Sequence, residues 1–148
     1  MIRTYRVCLA DTDATGIVYH ARYFEMAERN HNELLLSIGI SVADLARRIR
    51  DGTGNVALAL HSAAARFAKP ALPNDLLTLE TEVRKHSPAR SRWRTIITRD
   101  GALICAIDAE LVCINVLTGQ AVMMPFSMDE AIGRVAMEWI AAASGAGA

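Results

Sequence analysis

Residues 11 to 25 read DTDATGIVYHARYFE and bring two carboxylates, a glycine, a histidine and two tyrosines into one short stretch. It opens with loop-forming residues and runs into the first turn of an expected helix. A side chain beside a helix N-terminus sits among unpaired backbone N–H groups and the positive end of the macrodipole. Negative charge developing on a substrate oxygen there is stabilised, with Asp13 supplying a base or nucleophile. His20, whose imidazole titrates near neutral pH, is able to orient a reactant or to protonate a leaving group. The same aspartates also suit the local hydrogen bonds that Asx residues make in turns, and spacing alone leaves both readings open. A metal held by Asp11, Asp13 and His20 lacks a fourth ligand and any standard ligand spacing, so no metal is expected.

In residue type and spacing the stretch resembles the signature of the 4-hydroxybenzoyl-CoA thioesterase family, and more closely its acyl-CoA thioesterase branch associated with the Tol-Pal envelope system. The shared pattern, D-x-D-x-x-G-x-V-Y-H/F-x-x-Y, takes in Asp11, Asp13, Gly16, Val18, Tyr19, His20 and Tyr23. Weaker similarity continues through RFAKPALPNDLLTLETEV, the Asp100-Gly101 turn and LVCIN, to about Pro125. Close relatives carry an aromatic residue four positions before the second aspartate and a polar one after it. This chain has Leu9 and Ala10 there, which weighs against a role for a tyrosine hydroxyl at that corner and leaves the acyl preference open.

The resemblance implies a hotdog fold and hydrolysis of an acyl-CoA thioester, with coenzyme A as part of the substrate and no separate cofactor. It places the catalytic carboxylate at Asp13 and gives His20 a catalytic part. Asp11 becomes a loop-shaping residue, and Gly16, Val18, Tyr19 and Tyr23 form the substrate-binding wall, the tyrosines packing rather than reacting. It also implies a homodimer at least, with a homotetramer as the expected assembly. Two alternatives remain: a non-catalytic module binding an acyl thioester or a protein, and a hotdog hydratase or carrier-protein thioesterase. Coenzyme A carries several phosphates, and Arg84, Lys85, Arg90, Arg92 and Arg94 cluster around Ser87-Pro88; Arg90 and Arg92 are the expected contacts.

The 148 residues, 52% of them hydrophobic, suit one compact domain spanning 1–148. Sixteen basic residues balance sixteen acidic ones, so no global field favours nucleic acid or an anionic membrane. The N-terminal residues lack the apolar core of a signal peptide and no apolar run is long enough to span a bilayer, which makes a cytoplasmic location the expectation. Cys8, Cys105 and Cys113 lie in apolar segments without metal or redox spacing and are expected to be buried free thiols. No nicotinamide fingerprint, Walker loop or G-x-S-x-G elbow is present.

The positioning elements follow from periodicity. Ile2 to Ala10 predicts a strand, and Arg22 to Ile38 a helix ended by Gly39, with His31 on or near its apolar face as a core or interface residue. Val42 to Ile49 predicts a second helix and Asn55 to Ala68 a strand before Pro70. Leu76 to Lys85 alternates, with Leu77, Leu79, Thr81 and Val83 on one face. Ser91–Arg99 and Ala102–Val116 flank Asp100-Gly101 as a hairpin. An S-x-x-E capping box at Ser127 and Glu130 precedes an expected helix from Met128 to Ala142, with an apolar stripe through Met128, Ala131, Ile132, Val135, Trp139 and Ile140 and a frayed tail at 143–148. One strand, a main helix, then hairpin-linked strands make an α+β pattern: an antiparallel sheet around one helix, with a C-terminal helix added.

Overall fold

The computed structural model describes the backbone of residues 1–145, and the side chains of these except at 85 and 139–145. In chain order the elements are β1 (Ile2–Arg6), a short 3-10 turn (Leu9–Asp11), α1 (His20–Ser37), α2 (Val42–Arg50), β2 (Val56–Phe67), β3 (Leu76–Ser87), β4 (Arg90–Arg99), β5 (Ala102–Asn115) and α3 (Phe126–Gly145). The strands form one five-stranded sheet in the order β1-β3-β4-β5-β2. β1 runs antiparallel to β3 from Ile2 opposite Glu80 to Arg6 opposite Leu76. Two-residue connections fold β3 onto β4 and β4 onto β5, as antiparallel neighbours require. Asp100 (φ 50°) and Gly101 (φ 77°) both take the left-handed conformation, so the Asp-Gly pair turns the β4–β5 hairpin as expected. The Val116 amide bonds to the Asn55 carbonyl and the Ala68 amide to that of Ile104, so β2 runs antiparallel to β5. This is the α+β hotdog arrangement.

The largest departures from the expected boundaries are at β1 and at the two ends of α3. β1 stops at Arg6 rather than Ala10, because the Cys8 amide donates to the Asp11 carboxylate (2.8 Å) and the Asp11 amide to the Cys8 carbonyl (3.0 Å), closing a turn where a ladder would continue. Cys8 is consequently exposed, whereas Cys105 and Cys113 are buried as expected. Ser127 is not a cap: the Met128 and Asp129 amides both donate to the Pro125 carbonyl, so α3 begins at Phe126 with Ser127 inside its first turn. The helix continues through residues 143–145, where a frayed tail was expected; the rest of that tail, 146–148, lies outside the described residues, as do the side chains of Trp139 and Ile140.

The chain divides into two compact units, with β2 to β5 and the end of α1 contributing to both. The first comprises Met1–Leu34, Ala64–Thr81 and Arg94–Asp108. There α1 turns Tyr23, Met26, Ala27, Asn30, His31 and Leu34 inward at three- and four-residue spacing. Tyr23, Met26 and Ala27 join Leu77 and Leu79 of β3, Ile97 of β4 and Ile104, Cys105 and Ile107 of β5 in a single apolar cluster. Each fully buried aliphatic side chain of this kind contributes roughly 1.5–3 kcal/mol. A polar thread crosses the unit: Asn30 Nδ2 donates to Thr81 Oγ1 (2.8 Å), the Thr81 and Thr95 hydroxyls bond (2.7 Å), and Thr95 Oγ1 meets His31 Nε2 (3.1 Å).

The second unit comprises Leu35–Ala63, Glu82–Trp93 and Ala109–Ala148. Ser41 caps α2 by accepting the Asp44 amide, a cap the sequence reading passed over. Met128, Ala131, Ile132 and Ala136 form the buried side of α3. His86 on β3 bonds Asp129 of α3 through Nε2 (2.8 Å), and its ring lies where a Cβ on Gly133 would come within 3.2 Å. Trp93 is buried, its Nε1–H donating to Ser91 Oγ (2.8 Å).

Candidate active site

Asp11 organises the loop between β1 and α1. Its buried carboxylate accepts from the Cys8 amide (2.8 Å), the Cys8 thiol (3.2 Å) and the Tyr5 hydroxyl (3.0 Å). Burial raises its pKa, but the Cys8 and Tyr5 hydrogen bonds and the Arg22 charge outweigh that and hold it below the ordinary carboxylate value. A tyrosine hydroxyl therefore does reach this corner, donated by Tyr5 rather than from position 9. The Asp11 carbonyl accepts the Tyr19 amide (2.9 Å), which fixes Tyr19 as the last residue before α1 and starts the helix at His20 rather than Arg22. Asp11→Ala removes the acceptor shared by the Cys8 amide, the Cys8 thiol and the Tyr5 hydroxyl and is expected to cost about 1–3 kcal/mol in urea unfolding. A variant as stable as the wild type would show that these bonds do not hold the loop.

Asp13 opens a tight turn. The Gly16 amide donates to the Asp13 carbonyl (3.0 Å) and the Asp13 amide to the Ile17 carbonyl (3.0 Å), while Thr12 and Val18 pair across the turn. Gly16 sits at φ 79°, a conformation that costs L side chains strain. Asp13 Oδ1 accepts from both the hydroxyl and the amide of Thr15 (2.8 Å for the amide), so the Asx-turn reading holds for one of its oxygens. These two bonds, helped by nearby His20, keep its pKa below the usual carboxylate value. The side chain is otherwise exposed.

Asp13, Val18, His20 and Tyr23 line one groove of about 440 Å³ in the first unit. The far wall is Phe67, Ala68, Lys69 and Pro70, where β2 ends. The Tyr23 and Phe67 rings lie 5.7 Å apart and tilted by 51°. Gly16 and Tyr19 are not part of the lining: Gly16 shapes the turn, and the Tyr19 ring packs on His20 with centroids 4.4 Å apart. His20 is exposed and opens α1. The Tyr19 amide is used by Asp11, whereas those of His20 and Ala21 have no backbone partner among the described residues.

Arg90 and Arg92 do not line this groove. Both are on β4 in the second unit, bonded to the Glu110 carboxylate at 2.6 and 2.7 Å. The groove's cation is Lys69, and its second aromatic is Phe67; the sequence reading singled out neither. The only signal for them was their place just before Pro70 in the stretch RFAKPALPND.

Comparison with known proteins adds to this geometry. A family model described as the thioesterase-like superfamily matches residues 7–140. The chain belongs to that superfamily. It is 28% identical over 120 residues to the acyl-CoA thioesterase YbgC of Haemophilus influenzae, covering 81% of this chain and 85% of that one. Among solved structures, a probable thioesterase from Bartonella henselae superposes with a TM-score of 0.76 at 29% identity, over 84% of this chain and 98% of that one. Slr0204 from Synechocystis, a 1,4-dihydroxy-2-naphthoyl-CoA thioesterase, does so with a TM-score of 0.78 at 26% identity, over 89% and 94%. The match to the thioesterase-like superfamily spans the Asp13 turn, α1 and the whole sheet from β3 to β5. No helix among the described residues is long and apolar enough to cross a membrane.

Proposed function

We propose that this chain hydrolyses acyl-CoA thioesters, with Asp13 delivering the oxygen nucleophile. The observation that carries the reading is that Asp13 and His20, the latter at the start of α1, face one groove whose other lining residues, Lys69 apart, are apolar or aromatic. In one route Asp13 attacks the acyl carbon, giving a mixed anhydride and releasing the coenzyme A thiolate, which takes up a proton; water then cleaves the anhydride. In the other Asp13 removes a proton from the attacking water. Either way acyl-CoA and water become free acid and thiol. The His20 and Ala21 amides supply donors for the oxyanion, and losing one such donor typically costs about 2.7–4 kcal/mol. His20 orients the reactants or protonates the departing sulfur.

Membership of the Tol-Pal-associated branch rests on the Asp11–Tyr23 motif and on the similarity to YbgC. We further read the assembly as a homodimer or a dimer of dimers. β2 is an edge strand of 12 residues with Leu60 and Phe67 exposed on it, and long apolar edges invite pairing with a second copy.

A second reading, binding of an acyl thioester without turnover, is favoured by the Thr15 bonds that already occupy Asp13 Oδ1. Thiol release across short, long and aromatic CoA esters, on a sample of known mass, separates the two. The first reading expects free thiol and free acid from a dimer or tetramer of the 16.1 kDa chain. Binding without thiol, or hydration of an acyl chain that keeps its thioester, would displace it.

A further inference from the structure

The groove holds a cation that hydrolysis as described leaves unused. Lys69 lines it together with Asp13 and His20, yet forms no ion pair with Asp13. Among the described residues its ammonium has no hydrogen bond or ion pair at all. The four arginines of β4 are engaged: Arg90 and Arg92 by Glu110, Arg94 by Asp108, Arg99 by Asp75.

The backbone at Lys69 is firmly placed. The Ala68 and Lys69 amides both donate to the Ile104 carbonyl (2.8 and 3.3 Å), Pro70 follows, and the Ala71 carbonyl accepts the Val18 amide (2.9 Å) from the Asp13 turn. One short, stitched segment thus sets the lysine's origin relative to the turn that carries the carboxylate. An unpaired ammonium on a stem rooted in this segment is suited to hold a point anion.

We propose that Lys69 is the anion-binding residue of this groove, pairing with a negatively charged group of the substrate outside the thioester bond. The inference rests on the thioesterase reading and extends it. Two parts of a thioester substrate carry such a charge: the phosphates of coenzyme A, and a carboxylate at the far end of the acyl group. Lys69 is a positioning residue, so its removal acts on substrate capture rather than on the bond-breaking step.

The test compares wild type, Lys69→Met, which keeps the stem without the charge, and Lys69→Arg. Each is assayed on four thioesters: a neutral and a carboxylate-bearing acyl group, each on coenzyme A and on N-acetylcysteamine, which has no phosphate. If the anion is a phosphate, Lys69→Met raises KM about tenfold for both CoA esters, leaves kcat and the neutral N-acetylcysteamine ester unchanged, and Lys69→Arg restores KM. If the anion is the acyl carboxylate, the same loss follows the carboxylate on either carrier. In both cases added salt shrinks the difference.

Equal kinetics for Lys69→Met and wild type on all four esters would overturn the proposal. So would an equal loss on the neutral N-acetylcysteamine ester. Equilibrium binding of the corresponding acyl-CoA thioethers, which cannot be hydrolysed, reads the same contrast without turnover. A wild type that binds with the Lys69 contrast but releases no thiol supports the anion site and rejects only the hydrolase reading. A wild type that binds no thioether rejects both.

Discussion

Asp13→Asn is expected to lower kcat for thioester hydrolysis by about 10²–10⁴-fold, the usual contribution of a positioned proton-transfer or nucleophilic group. The change is close to isosteric, and the amide oxygen of asparagine can still accept the Thr15 amide and hydroxyl, so the turn survives. Asp13 is exposed, and exposed substitutions of this kind usually alter stability by no more than about 0.5 kcal/mol. Loss of activity with an unchanged unfolding curve therefore assigns the effect to chemistry. The Thr15 bonds hold the carboxylate below its ordinary pKa, so it is ionised throughout the neutral range and the acid limb it imposes lies below pH 3.8. After a single turnover in H₂¹⁸O, label recovered in Asp13 identifies direct attack with water opening the anhydride at the Asp13 carbonyl, whereas activation of water by Asp13 puts the label only in the released acid. An Asp13→Asn enzyme with wild-type turnover would remove this residue from the mechanism.

Lowering the pH from 7 to about 4 is expected to cost the protein about 3 kcal/mol through one histidine, the loss beginning well above the range in which its carboxylates titrate. His31 is the cause. Burial depresses its pKa from 6.5 to about 4, so the folded state holds the ring neutral while the unfolded chain takes up a proton. The sign follows directly: stability is fully present above pH 6.5, declines as pH falls below that value, and this contribution is spent by about pH 4. Glu110, held low by Arg92 and Arg90, adds its loss only below 4.5, and Asp11 and Asp75 add theirs only below 3.8, leaving the window from 6.5 to 4.5 to the histidine. His31→Gln keeps a hydrogen-bonding partner for Thr95 and removes the titration, so its stability is expected to be nearly flat from pH 6.5 to 4.5. Urea unfolding at half-unit pH intervals reads this, and an unchanged slope in the variant would place the acid sensitivity elsewhere.

Much of the frame was legible because it depends on local pattern. The alternation of Leu77, Leu79, Thr81 and Val83 predicted one buried face of β3, and all four are buried. The Asp100-Gly101 pair turned its hairpin because the two residues tolerate the backbone that turn needs. His31 was expected in a core or interface and lies within the fold. The misread boundaries have a common origin in hydrogen bonds that spacing does not display. Asp11 takes the Cys8 amide and so ends β1; the Pro125 carbonyl takes two amides and so starts α3 ahead of Ser127.

The composition of the groove was the least legible part. Arg90 and Arg92 were the expected anion contacts because they cluster with other cations around a turn, yet Glu110, some twenty positions later, lies across the hairpin and neutralises both. Phe67 and Lys69 drew no attention as single residues in a strand end, since nothing local distinguishes a groove wall from any other exposed position. Residue order by itself pointed to the thioesterase-like superfamily and to the kinds of element, because each of these is a pattern of neighbours along the chain. Which cation lines the groove unpaired, which oxygen of Asp13 is already occupied and which amides remain open at α1 were settled only by folding, since each depends on a three-dimensional arrangement of partners that residue order does not display.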